Sequence, residues 1–346
     1  MKIGILFGGS SFEHEISIVS AITMQKVLKN TNLVNIFIDA NRGFYLIDFK
    51  DMKSTTFSSG TYKKSPKLEL TQGKFIHRGF MKSRDIVVDG VLNLVHGRDG
   101  EDGKLASLLE FYNIPYISPR IEASVLSYNK LFTKLYAKSI NIPTLPYELL
   151  QKGDPREIQM PFPIIIKPSR LGSSIGVSIV KEKSELEYAL DVAFEYDDLL
   201  LIEPFMSGIK EYNQAGCYTD KWELSIIEEP QKEEFLDFEK KYMDFSRNHK
   251  AKDAPIPSDL ADKIQNAFKA IYGSMFHGSI IRCDFFEKDG EIYLNEINPI
   301  PGSMANYLFE DFESMIQRVI KNLPNERDIV IDYTYINSIK SAKGKA

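Results

Sequence analysis

The sequence predicts an α/β protein whose N-terminal domain is built on a parallel sheet and whose C-terminal part shifts to α+β. Three observations predict it. Through the first half, short apolar runs alternate with segments of helical period, joined at Gly- or Pro-marked turns. From about residue 210 the pattern turns strand-rich and closes on a hairpin. With 346 residues the chain is long for one core, which favours two or three domains.

The elements follow in order. "KIGILF" is a strand stopping at Gly8-Gly9, and "SSFEHEISIVSAITMQKVLKN" follows with its apolar residues at helical spacing. "NLVNIFID" and "VVDGVLNLVHG" read as strands, with "GKLASLLEFYNI" as the helix after the second. Residues 48 to 80 are polar and weakly periodic, an insertion of small strands or a surface excursion. "SYNKLFTKLYAKSINIP" reads as a helix that begins at a Ser cap and ends before Pro143, with a boundary near residue 120. "FPIIIKPSRLGSSIGVSIVK", "KSELEYALDVAFEYDD" and "LLLIEPFMSG" give strand, Gly/Ser loop, strand, helix and strand. "EYNQAGCYTDKWELSIIEEPQ" is strand-rich, "KEEFLDFEKKYMDFSRN" is a charged loop, and a helix spans about 259 to 276. The expected domains are 1–119, 120–208 and 209–346.

Composition narrows the function. The chain is 43% hydrophobic and 26% charged with no long apolar run, so a globular protein is expected rather than a disordered or membrane-embedded one. A net charge of -5 argues against a nucleic-acid-binding face. Cys217 and Cys283 have neither metal-ligand nor disulfide-framework spacing, which suits buried thiols in a reducing compartment. The apolar part of "MKIGILFGG" is too short for a signal-peptide core, and a cytoplasmic location is expected.

The hairpin "IRCDFFEKDGEIYLNEINPIPG" carries Asp284, Glu296 and Asn298 among strand-forming residues. A three-residue loop, Lys288-Asp289-Gly290, sets Asp284 opposite Leu294 and puts Leu294, Glu296 and Asn298 on its face. A two-residue loop puts Asp284 on the other face, so loop length decides whether the three oxygen donors converge. Hard oxygen ligands with few carboxylates suit Mg²⁺ shared with substrate phosphates; solvated strand-end residues are the alternative.

In "IIIKPSRLGSSIGVSIV", Lys167 ends an apolar strand just before a loop rich in amides and hydroxyls. That combination suits a phosphate grip, although an ordinary Gly-Ser turn reads the same way. Glu203 ends another apolar strand with Glu211 eight residues on, where a carboxylate can accept from an adenine amine or a ribose hydroxyl. His96 in "HGRDGEDG" follows a strand, where open α/β sheets bind ligands; it reads as a base, a substrate-carboxylate contact or a helix cap. Glu13 stands at a strand-to-helix turn, favouring the helix dipole or receiving an ammonium.

Taken together, "GGSSFEHEIS", "LVHGRDGEDG", "IIIKPSRLGSSIGVS", "LIEPFMSG", "FEKKY" and "IRCDFF...LNEINPIPG" resemble, in order and spacing, the D-alanine:D-alanine ligase family of the ATP-grasp superfamily. The resemblance covers nearly the whole chain and implies a three-domain ATP-grasp architecture. It implies that ATP phosphorylates one D-alanine carboxylate and that the amine of a second D-alanine attacks the acylphosphate, for peptidoglycan precursor synthesis. It further implies that Lys130, Lys167, Lys241 and the Ser174 backbone hold ATP phosphates, with Glu203 at the adenine and Glu211 at the ribose. Asp284, Glu296 and Asn298 would hold two Mg²⁺, for which Mn²⁺ can substitute. Arg282 and the Gly302 amide would stabilise the oxyanion. Glu13 would bind the first ammonium and join Ser173 and Tyr242 in a triad, with His96 close by. Tyr242 resembles the dipeptide-forming members, and closure of the loop carrying it and Lys241 would exclude water. The implied assembly is a homodimer, with neither nucleic acid nor membrane as partner.

The chain departs from the family pattern in three places. Tyr307-Leu308 stands where a Ser-Leu pair usually holds the second substrate's carboxylate, "GIKEYN" has one residue more than the shorter members, and Leu236 replaces a common aromatic. Two other readings remain: an ATP-grasp ligase for a different acid and amine, and a nucleotide-binding regulator without turnover.

Overall fold

The computed structural model describes residues 1–79, 82–230, 251–325 and 329–343. Its first sheet holds β1 (Lys2–Gly8), β2 (Asn32–Ile38), β3 (Phe44–Ile47), β4 (Lys67–Thr71), β5 (Lys74–Arg78), β6 (Ser83–Ile86), β7 (Gly90–Asn93) and β8 (Tyr116–Ile117). The order is β6-β5-β4-β3-β2-β1-β7-β8. Only β2, β1, β7 and β8 run parallel. Their crossovers are α1 (His14–Val27) and α3 (Lys104–Phe111), as parallel pairing requires. Ile3 to Phe7 are buried, as an unbroken apolar run enclosed on both faces should be. The expected insertion prolongs this sheet: β3 to β6 add to it antiparallel, with the short helix α2 (Ser54–Ser58) in the long connection between β3 and β4.

Between the first and second sheets lie two helices, where the sequence suggested one. Ser127 does not cap; its hydroxyl donates back to the Ala123 carbonyl at 2.6 Å within α4 (Ile121–Tyr128). The cap of α5 (Lys130–Ser139) is Asn129, whose side-chain oxygen accepts from the amides of Leu131 and Phe132. The second sheet, ordered β11-β10-β12-β9, comprises β9 (Glu148–Gln151), β10 (Ile164–Pro168), β11 (Ser178–Val180) and β12 (Leu199–Pro204), with α6 (Leu186–Phe194) packed on it. The third comprises β13 (Lys210–Tyr218), β14 (Trp222–Glu228), β15 (Ile281–Lys288) and β16 (Glu291–Asn298), ordered β14-β13-β15-β16. Helix α7 (Ser258–Tyr272) buries Ile264, Phe268 and Ile271 in the core beneath it. Helices α8 (Phe312–Lys321) and α9 (Thr334–Lys343) follow. Cys217 and Cys283 are free and buried. Among the described residues no helix is long and apolar enough to cross a membrane.

The β15–β16 hairpin corrects one expectation. Its loop has two residues, Asp289 and Gly290, with φ of 55° and 79°, and Lys288 pairs with Glu291. Positive φ at both central residues is the turn that matches strand twist, and Asp-Gly is a favoured pair for it. Such a loop alone would turn Asp284 away from Glu296. The register slips by one residue, however, so that Phe285 faces Leu294 while Asp284 faces Glu296. Asn295 is the extra residue. This bulge brings Glu296 and Asn298 onto the face of Asp284 and leaves Leu294, 1% exposed, in the core.

Candidate active site

The loop after β1 aims Glu13 inward. Its side chain does not cap α1; Oε1 accepts from Ser173 Oγ at 2.6 Å, and Oε2 is buried with no partner. Burial and the nearby Glu101 push this carboxyl up to about 7, against the Ser173 hydrogen bond. Two glycines make room for it. A Cβ on Gly172 would lie 2.9 Å from Oε1, and one on Gly97 would lie 2.5 Å from Oε2. The Gly/Ser loop bends around it with Ser173 and Ser174 at φ 56° and 58°.

His96 is 3% exposed, between Ser20, 3.0 Å from its Nε2, and Glu101, 3.7 Å from its Nδ1. Burial pulls its pKa down, against the attraction of Glu13, so the ring is held neutral. It caps no helix: the cap position of α3 is Gly103. Burial pushes Glu101 up to about 8, while Lys130 pulls the other way. Glu101, Tyr128, Lys130, Gly172, Glu296 and Asn298 line one cavity of about 40 Å³. Lys130 Nζ donates to the Leu171 carbonyl.

Glu203, 1% exposed, bridges two lysines, with Oε1 2.5 Å from Lys134 Nζ and Oε2 2.7 Å from Lys167 Nζ. Burial alone would raise the carboxyl, but the two ammonium groups outweigh it and hold it below the ordinary carboxylate range. Burial lowers Lys134, whereas for Lys167 the attraction of Glu203 wins. Lys167 also reaches Asn295 Oδ1 at 3.2 Å, so the bulge residue ties the second sheet to the third. Glu211 lines a separate cleft of about 420 Å³ with Lys210, Glu229, Lys252 and Asp253.

On β15, Arg282 grips Asp284 with two parallel bonds, Nε to Oδ1 at 2.7 Å and a terminal nitrogen to Oδ2 at 2.8 Å. Asn298 donates to the same Oδ2 at 3.0 Å. Burial, with Glu296, pushes Asp284 up despite the Arg282 and Asn298 bonds, so further positive charge at this face would favour its ionised form. Among the described residues no three His, Cys, Asp or Glu side chains form a metal cluster. The third donor is instead the Asn298 amide. Two carboxylates and an amide oxygen on one sheet face fit a hard cation that takes its remaining ligands from phosphate and water.

After β16 the chain turns through Gly302–Leu308, where Ser303, Met304 and Ala305 have φ of 47°, 54° and 50°. Three consecutive non-glycine residues in this region cost about 1–2 kcal/mol each, so packing must hold the turn. Tyr307 points its hydroxyl to Glu228 Oε2 at 3.5 Å and interacts with Arg282; burial pushes its pKa up to about 12. The Leu308 side chain is 2% exposed, in the core.

The structure thus brings Glu13 to Ser173, Lys167 to Glu203, and Arg282, Asp284 and Asn298 to Glu296. Glu211 lines the 420 Å³ cleft, and its charge helps raise Lys167. Lys241, Tyr242 and Leu236 lie outside the described residues. Sequence reasoning missed Lys134, Glu101 and Asn295. Lys134 follows Lys130 by one helical turn, a spacing that was legible; Asn295 left no signal, because nothing local announces a bulge.

The D-ala D-ala ligase N-terminus family model matches residues 2–119, and the corresponding C-terminus model matches residues 136–318. A D-alanine–D-alanine ligase of Sulfurovum sp. (strain NBC37-1) is 64% identical over 346 residues, covering 100% of both chains. One from Wolinella succinogenes is 57% identical, again over 100% of both. The crystal structure of D-alanine–D-alanine ligase from Helicobacter pylori superposes with a TM-score of 0.85 at 49% identity, covering 94% of this chain and 100% of that one. With both halves matched and full-length relatives above half identity, the chain belongs to the D-alanine–D-alanine ligase family.

Proposed function

We propose that this protein joins two D-alanine molecules into D-alanyl-D-alanine at the expense of ATP, through D-alanyl phosphate, for peptidoglycan precursors in the cytoplasm. The observation that carries the reading is the unpartnered, buried Glu13 Oε2. A buried acceptor without a donor is costly, and an ammonium supplies the donor.

In this reading a carboxylate oxygen of the first D-alanine attacks the γ-phosphorus and ADP leaves. The amine nitrogen of the second attacks the acyl carbon, loses a proton, and the C–O bond to phosphate breaks. Glu13 holds the first ammonium while Ser173 fixes the carboxylate's direction. Lys130 and Lys167, with the Ser174 backbone, take ATP phosphates, Glu203 reaches the adenine, and Glu211 the ribose. Mg²⁺ or Mn²⁺, held by Asp284, Glu296 and Asn298, would supply charge neutralisation at the phosphates. Arg282 and the Gly302 amide face the oxyanion of the tetrahedral intermediate. Tyr307 and Leu308 lie at the second substrate. Lys241 with the ATP phosphates and Tyr242 in the triad of Glu13 and Ser173 complete the reading by family resemblance. A homodimer, and domains 1–119, 120–208 and 209–346, each with one sheet, belong to the same reading.

Product analysis after incubation with ATP, Mg²⁺ and D-alanine tests it. Dipeptide with stoichiometric ADP is expected. Phosphate release that needs another acid would point to a different ATP-grasp ligase, and ATP binding without ADP formation to a regulator.

A further inference from the structure

We propose that Ser20 is a positioning residue for ligation: its hydroxyl fastens the left-handed Gly302–Leu308 turn to the imidazole of His96, so that the Gly302 amide and the first-substrate loop keep one register. The inference rests on the ligase reading of that amide.

Ser20 is fully buried on α1, against which the turn packs. Its oxygen accepts the Ser303 amide at 3.1 Å, across 283 positions of sequence. The same oxygen lies 3.0 Å from His96 Nε2. A hydroxyl whose oxygen already accepts has its one proton left for a second partner. In the proposed bridge that proton goes to Nε2, which would place the ring's own proton on Nδ1, on the side of Glu101 Oε1 at 3.7 Å.

The turn needs such a fastening. Ser303, Met304 and Ala305 all hold φ that L-residues avoid, and no glycine relieves them. The Met304 amide bonds to the Pro301 carbonyl at 2.7 Å and Asn306 to the Ser303 carbonyl at 2.8 Å, but both bonds are internal to the segment. The Ser303–Ser20 bond is external, and it acts one residue from the amide of Gly302. It therefore sets direction as well as shape. Ser17, one turn earlier on α1, anchors β1 and the strand end instead, accepting from the Gly8 amide at 2.8 Å and donating to the Leu94 carbonyl at 2.6 Å. The helix thus holds both walls of the first-substrate site with two serines.

Ser20→Ala and Ser20→Thr are to be assayed with D-alanine and ATP, alongside nitrogen NMR of the five histidines in the wild-type protein. Mis-aiming an oxyanion donor forfeits part of its rate effect, so Ser20→Ala is expected to lower kcat by about 10- to 100-fold while the KM for ATP stays within about twofold. Ser20→Thr, which keeps the hydroxyl, is expected to recover most of kcat. In the wild type the His96 spectrum is expected to show a protonated Nδ1 and a bare Nε2, and this holds even if the alanine variant does not fold. A kcat for Ser20→Ala within twofold of wild type, a parallel rise in the KM for ATP, or a protonated Nε2 would overturn the proposal. If wild type itself makes no dipeptide, the ligase reading fails; if it does and Ser20→Ala matches it, only the role of Ser20 fails.

Discussion

Ser173 Oγ donates to Glu13 Oε1 at 2.6 Å across 160 positions of sequence, joining the Gly/Ser loop of the second sheet to the first loop of the chain. The bond favours the charged carboxylate, opposing burial. Ser173→Ala removes it, so the carboxyl rises further above about 7 and less of it is ionised at neutral pH. A hydrogen bond to a charged group contributes about 1.5–3 kcal/mol, which corresponds to roughly 10- to 100-fold in kcat/KM for D-alanine at pH 7. The loss should shrink as pH is raised. A pH profile of kcat/KM whose acid limb does not move toward alkaline pH would contradict this role.

Glu13 also sets a conflict between stability and substrate affinity. Its folded pKa is about 7 against an ordinary 4.5, so folding favours the protonated form. The resulting stability is fully present below about pH 4.5 and is lost as pH rises through 7. Glu13→Gln carries no charge to desolvate. At pH 8 it should be more stable than wild type by up to about 3 kcal/mol, with the gap closing toward pH 4. Urea midpoints at the two pH values measure it. D-alanine affinity should fall in the same variant.

These two residues show how far the sequence carried. The strand-turn-helix at β1 was legible from its apolar run and Gly8-Gly9, and so was the presence of Glu13 at a ligand-facing turn. Its contact with Ser173 came only through resemblance, since no periodicity relates loops so distant. The late hairpin is more instructive. Its oxygen donors do share a face, yet for another reason than loop length: the turn has two residues, and Asn295 restores the phase. Local rules of turn chemistry placed the turn and the positive φ of Gly290 but gave the loop one residue too many, and a bulge is decided by what packs around it. Here Leu294 donates its amide to the Pro143 carbonyl and Asn295 reaches Lys167. Lys134 was missed because a lysine is usually solvent-facing, and its burial is made tolerable by partners distant in sequence or beyond its helix, Glu203 and the Leu145 carbonyl.

Glu203 is the one carboxylate between Lys134 and Lys167 among the ion pairs described, so its removal leaves two buried ammonium groups facing each other. Glu203→Ala should destabilise the fold by about 3–5 kcal/mol. Lys134→Met should cost less, because Glu203 keeps Lys167 and the methionine fills the buried stem's space. Denaturant midpoints for the two variants, compared in the same buffer, check the order. If Lys134→Met proves the more damaging, the balance of charge in this triad has been misassigned.

Gly97 is where a single methyl group should separate folding from substrate binding. Its φ is 68°, a region side chains avoid, and a Cβ there would meet Glu13 Oε2 and Ser11 Oγ, both at 2.5 Å. That oxygen is the unpartnered acceptor of the site. In Gly97→Ala the carboxylate must turn away, since the backbone here is fixed by Glu101, whose amide bonds to the Gly97 carbonyl at 2.9 Å. Left-handed strain adds about 1–2 kcal/mol of destabilisation. The KM for the first D-alanine should rise at least about tenfold while nucleotide binding is retained, because the atoms nearest the new methyl group belong to Glu13 and Ser11 and not to Lys130, Lys167 or Glu203. Titration of ATP by calorimetry, set against initial rates over D-alanine concentration, separates the two effects. Equal weakening of both ligands would mean that the glycine serves the fold as a whole and not the pocket of Glu13.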